Sequence, residues 1–161
     1  MIERFSNVVV ARTFSKIYGL AGMRLGYAVA SKANAEALRS QASWSNANAA
    51  VLAAAQASLA DDGLVAFQRD RLNGTRRWLC AELARDGRRT IPSEANFVMI
   101  DAGADVKPVI AAFEARGIRV GRRFAALPTW LRVTIGTPDE TRAFLQAFRA
   151  IVPARAAAAA A

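Results

Sequence analysis

Thr13-Phe14-Ser15-Lys16-Ile17-Tyr18-Gly19-Leu20-Ala21-Gly22-Met23-Arg24-Leu25-Gly26-Tyr27 is the stretch on which the fold turns. The apolar run that leads into it, residues 8–14 (VVVARTF), reads as a buried strand, and residues 25–30 (LGYAVA) read as a second short one. Lys16 therefore stands where a strand ends, one residue after a hydroxyl. Gly19 and Gly22 let the backbone approach a ligand closely or take positive φ. Arg24 follows just before the second strand. A lysine held beside a desolvating wall and an arginine has its neutral amine favoured. A neutral amine can condense with an aldehyde, while Ser15 and Arg24 offer a hydroxyl and a planar charged fork to a phosphate. This combination suits an aldehyde cofactor that carries a phosphate. Generic chemistry leaves a second reading open, a polar turn with a surface lysine.

Outward from this segment, Ser31 is placed to cap a helix over residues 32–41, with Ala35, Leu38 and Ala42 on one side. Residues 47–60 are almost all Ala, Leu and Val. A helix that is apolar nearly all round has to be buried, in a core or in a subunit interface. Asp61, Asp62 and Gly63 interrupt it. A long amphipathic helix is expected over residues 64–85, with Leu72, Leu79 and Leu83 in one stripe and Arg69, Arg76 and Arg77 turned elsewhere. Gly74 inside it costs up to about 1 kcal/mol relative to Ala, and Gly87 is a natural stop.

The character then changes. Residues 96–101 (NFVMID) read as a strand, residues 105–116 as a helix entered through Asp105 and Pro108 and ended by Gly117, and residues 118–120 as a short strand. Residues 131–135 alternate, Leu131, Val133 and Ile135 on one face against Arg132 and Thr134 on the other. Thr137-Pro138-Asp139-Glu140 is a helix start with a capping box, and Phe144, Leu145, Phe148 and Ile151 give that helix its apolar face. Trp130 and Phe124 read as core packing or as the wall of an apolar pocket. Residues 153–161 read as a disordered Ala-rich tail. The chain thus divides into a partial large domain (1–62), a connecting helix (63–89) and an α+β small domain (90–152). The first region has too few strands to form a covered α/β sheet by itself, which points to missing sequence.

Composition narrows the function classes. The formal charge is +9, but 19 of the 22 basic residues are arginine and they are scattered, so no nucleic-acid partner is expected. No apolar run has the length of a membrane span, and the N-terminus does not resemble a signal peptide. With one cysteine, Cys80, no internal disulfide is possible, and a cytoplasmic location fits. Histidine is absent, so no metal site is expected.

The Lys16 segment resembles the S-K-x-x-G-L-A-G-x-R-x-G-Y signature of fold-type I aminotransferases that depend on pyridoxal 5'-phosphate, nearest the histidinol-phosphate aminotransferase-like group. Ser93-Glu94-Ala95-Asn96-Phe97-Val98 is similar to the family's S-x-A-N-F stretch. Residues 131–140 (LRVTIGTPDE) are similar to its L-R-[VI]-[ST]-[IV]-G-T-x-E-E stretch. The resemblance covers residues 7–152 and implies the C-terminal portion of an α/β transferase fold. It implies that Lys16 bonds the cofactor aldehyde as a Schiff base and then shuttles the proton at the substrate α-carbon. Ser15 and Arg24 would hold the cofactor phosphate, and Thr13 would add a contact. Arg132 would read the substrate's anionic group, with Asn96 at the start of a small-domain strand.

The match has gaps. A complete family member also has an N-terminal half with a stacking aromatic and an aspartate that keeps the pyridine nitrogen protonated. The expectation is therefore a truncated product, a mis-called start or one part of a split enzyme with a separate N-terminal polypeptide, weakly active alone. Histidinol-phosphate enzymes often carry an arginine where this chain has Gly121, so Arg122 is the candidate for that task. The implied partners are a small amino donor and a keto acid acceptor, and a homodimer is expected. A phosphothreonine-type decarboxylase and a non-catalytic remnant are the alternatives.

Overall fold

The computed structural model describes residues 2–43 and 46–153. The expected Ala-rich tail from residue 154 lies outside the described residues. The chain forms two compact units, Met1–Arg69 and Asp70–Ala161.

In the first unit, β1 (Val9–Thr13) and β2 (Gly26–Ala30) pair antiparallel, with Val9 opposite Ala30 and Thr13 opposite Gly26. The strands fall where the sequence puts them, but the expected burial does not. All but Val10 of β1 and all but Ala30 of β2 are exposed. A sheet face is buried only when another layer covers it, and two strands carry no such layer here. Helix α1 (Lys32–Gln41) starts at Ser31, whose hydroxyl accepts from the Asn34 N–H at 3.4 Å. The Asn34 side-chain amide and the Ser31 hydroxyl both donate to the Ser6 carbonyl, which ties the entry segment to α1. Helix α2 (Ala49–Ala60) is capped by Asn48. It buries one stripe, Val51 and Ala55, and leaves Leu52 and Leu59 about half exposed, so the all-round burial its composition predicts is not met within this chain. The carboxylate of Asp61 then accepts from the N–H groups of Gly63 and Leu64, ending α2's path and starting α3 (Leu64–Arg85).

The second unit takes most of α3. Gly87, at φ 68°, stops that helix. Its N–H donates to Ala84 and the Arg88 N–H to Leu83, which satisfies the last carbonyls. Three antiparallel strands follow in the order β3-β4-β5: β3 (Thr90–Ile91), β4 (Phe97–Asp101) and β5 (Trp130–Thr134). The two-residue β3 has no hydrophobic period of its own to announce it. One sheet face carries Val98, Ile100, Leu131 and Val133. It packs with Leu79 and Leu83 of α3, with Val106 and Phe113 of α4 (Val106–Glu114), and with Phe144, Leu145 and Phe148 of α5 (Pro138–Ile151). Phe113 stacks on Phe144 with centroids 5.2 Å apart, the centre of this core. The Thr137 capping box at the start of α5 is formed as the sequence predicts.

Two expectations fail in this unit. Residues 118–120 are not a strand. The contact with β5 is a single bond, Gly121 N–H to the Arg132 carbonyl at 2.9 Å. Arg76 does not face away from the core but is only 6% exposed. Its position explains this, since residues 72, 76, 79 and 83 are one turn apart and share a helix face. Burial is tolerated because its guanidinium donates to Glu94 at 2.7 Å and to the Ala95 carbonyl at 2.8 Å.

Candidate functional site

The loop between β1 and β2 is built around Phe14. This residue is 3% exposed, its N–H donates to the Leu25 carbonyl, and its carbonyl accepts from the Leu20 N–H at 3.0 Å. Its ring lies 4.9 Å from Tyr18 and 5.9 Å from Tyr27. The two ends of the loop are thus pinned to one residue, and Ser15 to Arg24 are displayed between them. Gly19, at φ 70°, closes a turn on the Lys16 carbonyl, and a single 3₁₀ turn (Ala21–Met23) leads to Arg24. Gly26 has a steric reason as well. A Cβ there would lie 2.7 Å from the Arg12 carbonyl oxygen across the ribbon.

Arg24 has φ 55°, the one left-handed non-glycine backbone among the described residues. Such a conformation costs on the order of 1–3 kcal/mol and persists where the surroundings fix it. Here the Arg24 guanidinium donates back to the Ala21 carbonyl at 2.7 Å, which locks the turn that carries it. The Ser15 N–H donates to the Thr13 hydroxyl at 3.0 Å, so Thr13 shapes the same turn. Ser15 is partly buried, whereas Lys16 and Arg24 are exposed. The desolvating wall that the sequence reading places beside Lys16 is therefore not supplied by the described residues, because neither face of the ribbon is covered. The chemistry of the donor set still fits a phosphorylated aldehyde, with one primary amine, one hydroxyl and one guanidinium on a single pinned loop.

The three remaining candidates lie in the second unit. Asn96 immediately precedes β4, and its carbonyl accepts from the Ile135 N–H at 2.9 Å. Arg132 sits on the sheet face away from the core, opposite Met99, as the alternation predicts. Its guanidinium lies over the Phe97 ring, 4.2 Å from the centroid, and its Nε is buried with no hydrogen-bond partner among the described residues. Arg122 is exposed, with its guanidinium 5.1 Å from the Phe124 ring. Its neighbour Arg123 is held by a two-pronged pair with Asp105, which also caps α4. Trp130 and Phe124 are both outside the buried core, and each carries an arginine on its ring. Gly121 cannot hold a side chain without a shift, since a Cβ would come within 2.8 Å of the Arg132 carbonyl oxygen and Cβ.

Sequence reasoning gave Phe97 and Arg76 no part in the site. The helical spacing of Arg76 from Leu72 was a usable signal. The pairing of Phe97 with Arg132 depends on strand register, which a single sequence does not display. Among the described residues no cluster of three or more His, Cys, Asp or Glu could hold a metal. No single helix there is long and apolar enough to cross a membrane.

Residues 2–148 match the family model described as aminotransferase class I and II, and the chain belongs to that family. It is 40% identical over 151 residues to a histidinol-phosphate aminotransferase of Symbiobacterium thermophilum, covering 93% of this chain and 42% of that protein. It is 43% identical over 152 residues to histidinol-phosphate aminotransferase 2 of Pseudomonas aeruginosa, covering 91% of this chain and 40% of the relative. Among solved structures, the histidinol-phosphate aminotransferase of Sinorhizobium meliloti in complex with pyridoxal-5'-phosphate superposes with a TM-score of 0.83. That pair is 29% identical and covers 94% of this chain and 42% of the other. The chain thus spans about two-fifths of the length of the relatives it matches, and its fold is that share of a mixed α/β transferase fold.

Proposed function

We propose that this protein takes part in pyridoxal-phosphate-dependent transamination of an amino acid or an amino-alcohol phosphate of the histidinol-phosphate kind. The observation that carries the reading is the Phe14-pinned loop, which presents Lys16, Ser15 and a backbone-locked Arg24 together. Lys16 would hold the cofactor's aldehyde carbon. Ser15 and Arg24 would bind its phosphate through charge-assisted hydrogen bonds, with Thr13 fixing the Ser15 backbone. When bound, the cofactor supplies an electron sink for charge developing at the substrate α-carbon. The Lys16 amine then moves the proton at that carbon as a general base and acid. Arg132, with Asn96 and Arg122, would orient the substrate by its anionic group. The identity of 40% or more to histidinol-phosphate aminotransferases supports this substrate class.

The partners in this reading are a small amino donor, a keto acid acceptor and a second copy of the chain, in the cytoplasm. Titration with pyridoxal phosphate tests the cofactor half of the reading: a visible absorption band should develop, and it should be absent in Lys16→Ala. Incubation with histidinol phosphate and 2-oxoglutarate tests the reaction. Glutamate formation supports transamination, whereas carbon dioxide release from a phosphorylated amino acid moves the assignment to a decarboxylase.

A further inference from the structure

We infer that Phe97 is a positioning residue for Arg132, an aromatic platform that aims the guanidinium at an anionic ligand without using up its charge or its N–H donors. The inference rests on the substrate role proposed for Arg132.

Several of the arginines in the second unit are held by carboxylates. Arg76 is paired with Glu94, Arg89 with Asp101, Arg123 with Asp105, and Arg149 with Asp86 and Glu82. A carboxylate partner fixes a guanidinium, but it also neutralises it and occupies one edge of its planar fork. Arg132 is held differently. Its guanidinium carbon lies over the Phe97 ring, 4.2 Å from the centroid and the closest such contact among the described residues, and its Nε has no hydrogen-bond partner there. A ring face attracts the cation through its quadrupole and touches only the guanidinium plane. Contact through the ring face leaves the buried Nε–H without a partner among the described residues, a donor that an anion reaching it would satisfy.

The platform is itself fixed. Phe97 stands opposite Thr134 in the β4–β5 register, two residues along from the Met99–Arg132 pair, so Phe97 and Arg132 are diagonal neighbours on one face. The segment that delivers it, Ser93 to Asn96, is clamped from α3 by buried Arg76 through Glu94 and the Ala95 carbonyl. The Ser93 hydroxyl donates to the Phe97 carbonyl at 2.6 Å. On the other side of Arg132, Gly121 bonds its carbonyl and leaves no room for a side chain. Gly121 thus fixes the Arg132 backbone, and the Phe97 ring lies against its guanidinium.

The test follows the Arg132 Nε–H resonance by NMR in the full chain, identified by its loss in Arg132→Gln, during titration with inorganic phosphate and separately with acetate. In the parent protein this proton should be shifted upfield by the Phe97 ring and should move on anion addition. Phe97→Leu should abolish the ring shift and weaken anion binding at Arg132 by roughly three- to thirtyfold, and Phe97→Tyr should restore both. Mono-, di- and trifluorinated phenylalanine at position 97 keep the fold and the shape while weakening the ring's quadrupole, so affinity should fall stepwise along that series. A purely structural role for the ring would not produce that gradient. Anion binding at Arg132 that is equal across the fluorinated series or in Phe97→Leu overturns the positioning role alone. Absence of any anion response at Arg132 in the parent protein overturns the substrate role as well.

Discussion

At the residue scale, two positions show how the backbone constrains a residue, Gly121 by close approach and Arg24 by its left-handed conformation. Gly121 lies against the Arg132 carbonyl, and a Cβ there would sit 2.8 Å from that oxygen. Gly121→Ala should therefore destabilise the protein by about 1–3 kcal/mol through displacement of β5, measured by urea unfolding. An unchanged midpoint would show that the loop yields freely. Arg24 is the second position, with its left-handed backbone held by its own side chain on Ala21. Replacing it with glycine should preserve the turn, since glycine adopts positive φ without a steric penalty, yet should lower affinity for pyridoxal phosphate at least tenfold through loss of the charged fork. An equilibrium titration of the two proteins decides it. The loop that carries Lys16, Ser15 and Arg24 was legible in the sequence because its flanking strands and its glycine turn are local features. The exposure of Lys16 was not legible, because a wall belongs to whatever packs around a loop and the loop's own sequence does not encode it.

At the element scale, the helices were the most readable parts, since caps and stops are also local. Ser31, Asn48, Asp105 and Thr137 each accept from the backbone at the helix start they precede. Thr137→Ala should cost about 1 kcal/mol by removing the capping box of α5. The strand expected at 118–120 failed for a non-local reason. Its pairing would have to run along β5, and it makes one bond there, at Gly121. The end of α3 is joined to α5 by Arg149, which donates to Asp86 at 2.7 Å and to Glu82 at 3.0 Å. That hydrogen bond holds the Asp86 carboxyl below its ordinary value of 3.8, and partial burial opposes it. A depressed carboxylate stabilises the fold above the unfolded value, and the contribution is lost as pH falls through the folded one. Arg149→Met should accordingly be less stable than the parent at pH 7, with the gap narrowing at about pH 2. Equal gaps at both pH values in urea unfolding would remove the pair from the stability account.

At the scale of the whole molecule, composition predicted more burial than the chain provides. The β1–β2 ribbon and most of α2 are apolar but exposed, with Leu52 at 47% and Leu59 at 54%. Under the proposed homodimer these helix residues face a second copy, so Leu52→Glu with Leu59→Glu should shift the sedimentation profile toward monomer. A parent chain that sediments as a monomer at all concentrations would contradict that assignment. Under the proposed function one amine of this chain is set apart from the others by its loop. The chain has three lysines, Lys16, Lys32 and Lys107, and a simple aldehyde would label any of them. Borohydride reduction makes an amine–aldehyde linkage permanent, so peptide mass mapping after incubation with equimolar pyridoxal phosphate reads the site directly. The cofactor mass should fall on the Lys16 peptide and be absent from the other two; labelling spread evenly over Lys32 and Lys107, or missing from Lys16, would contradict the account.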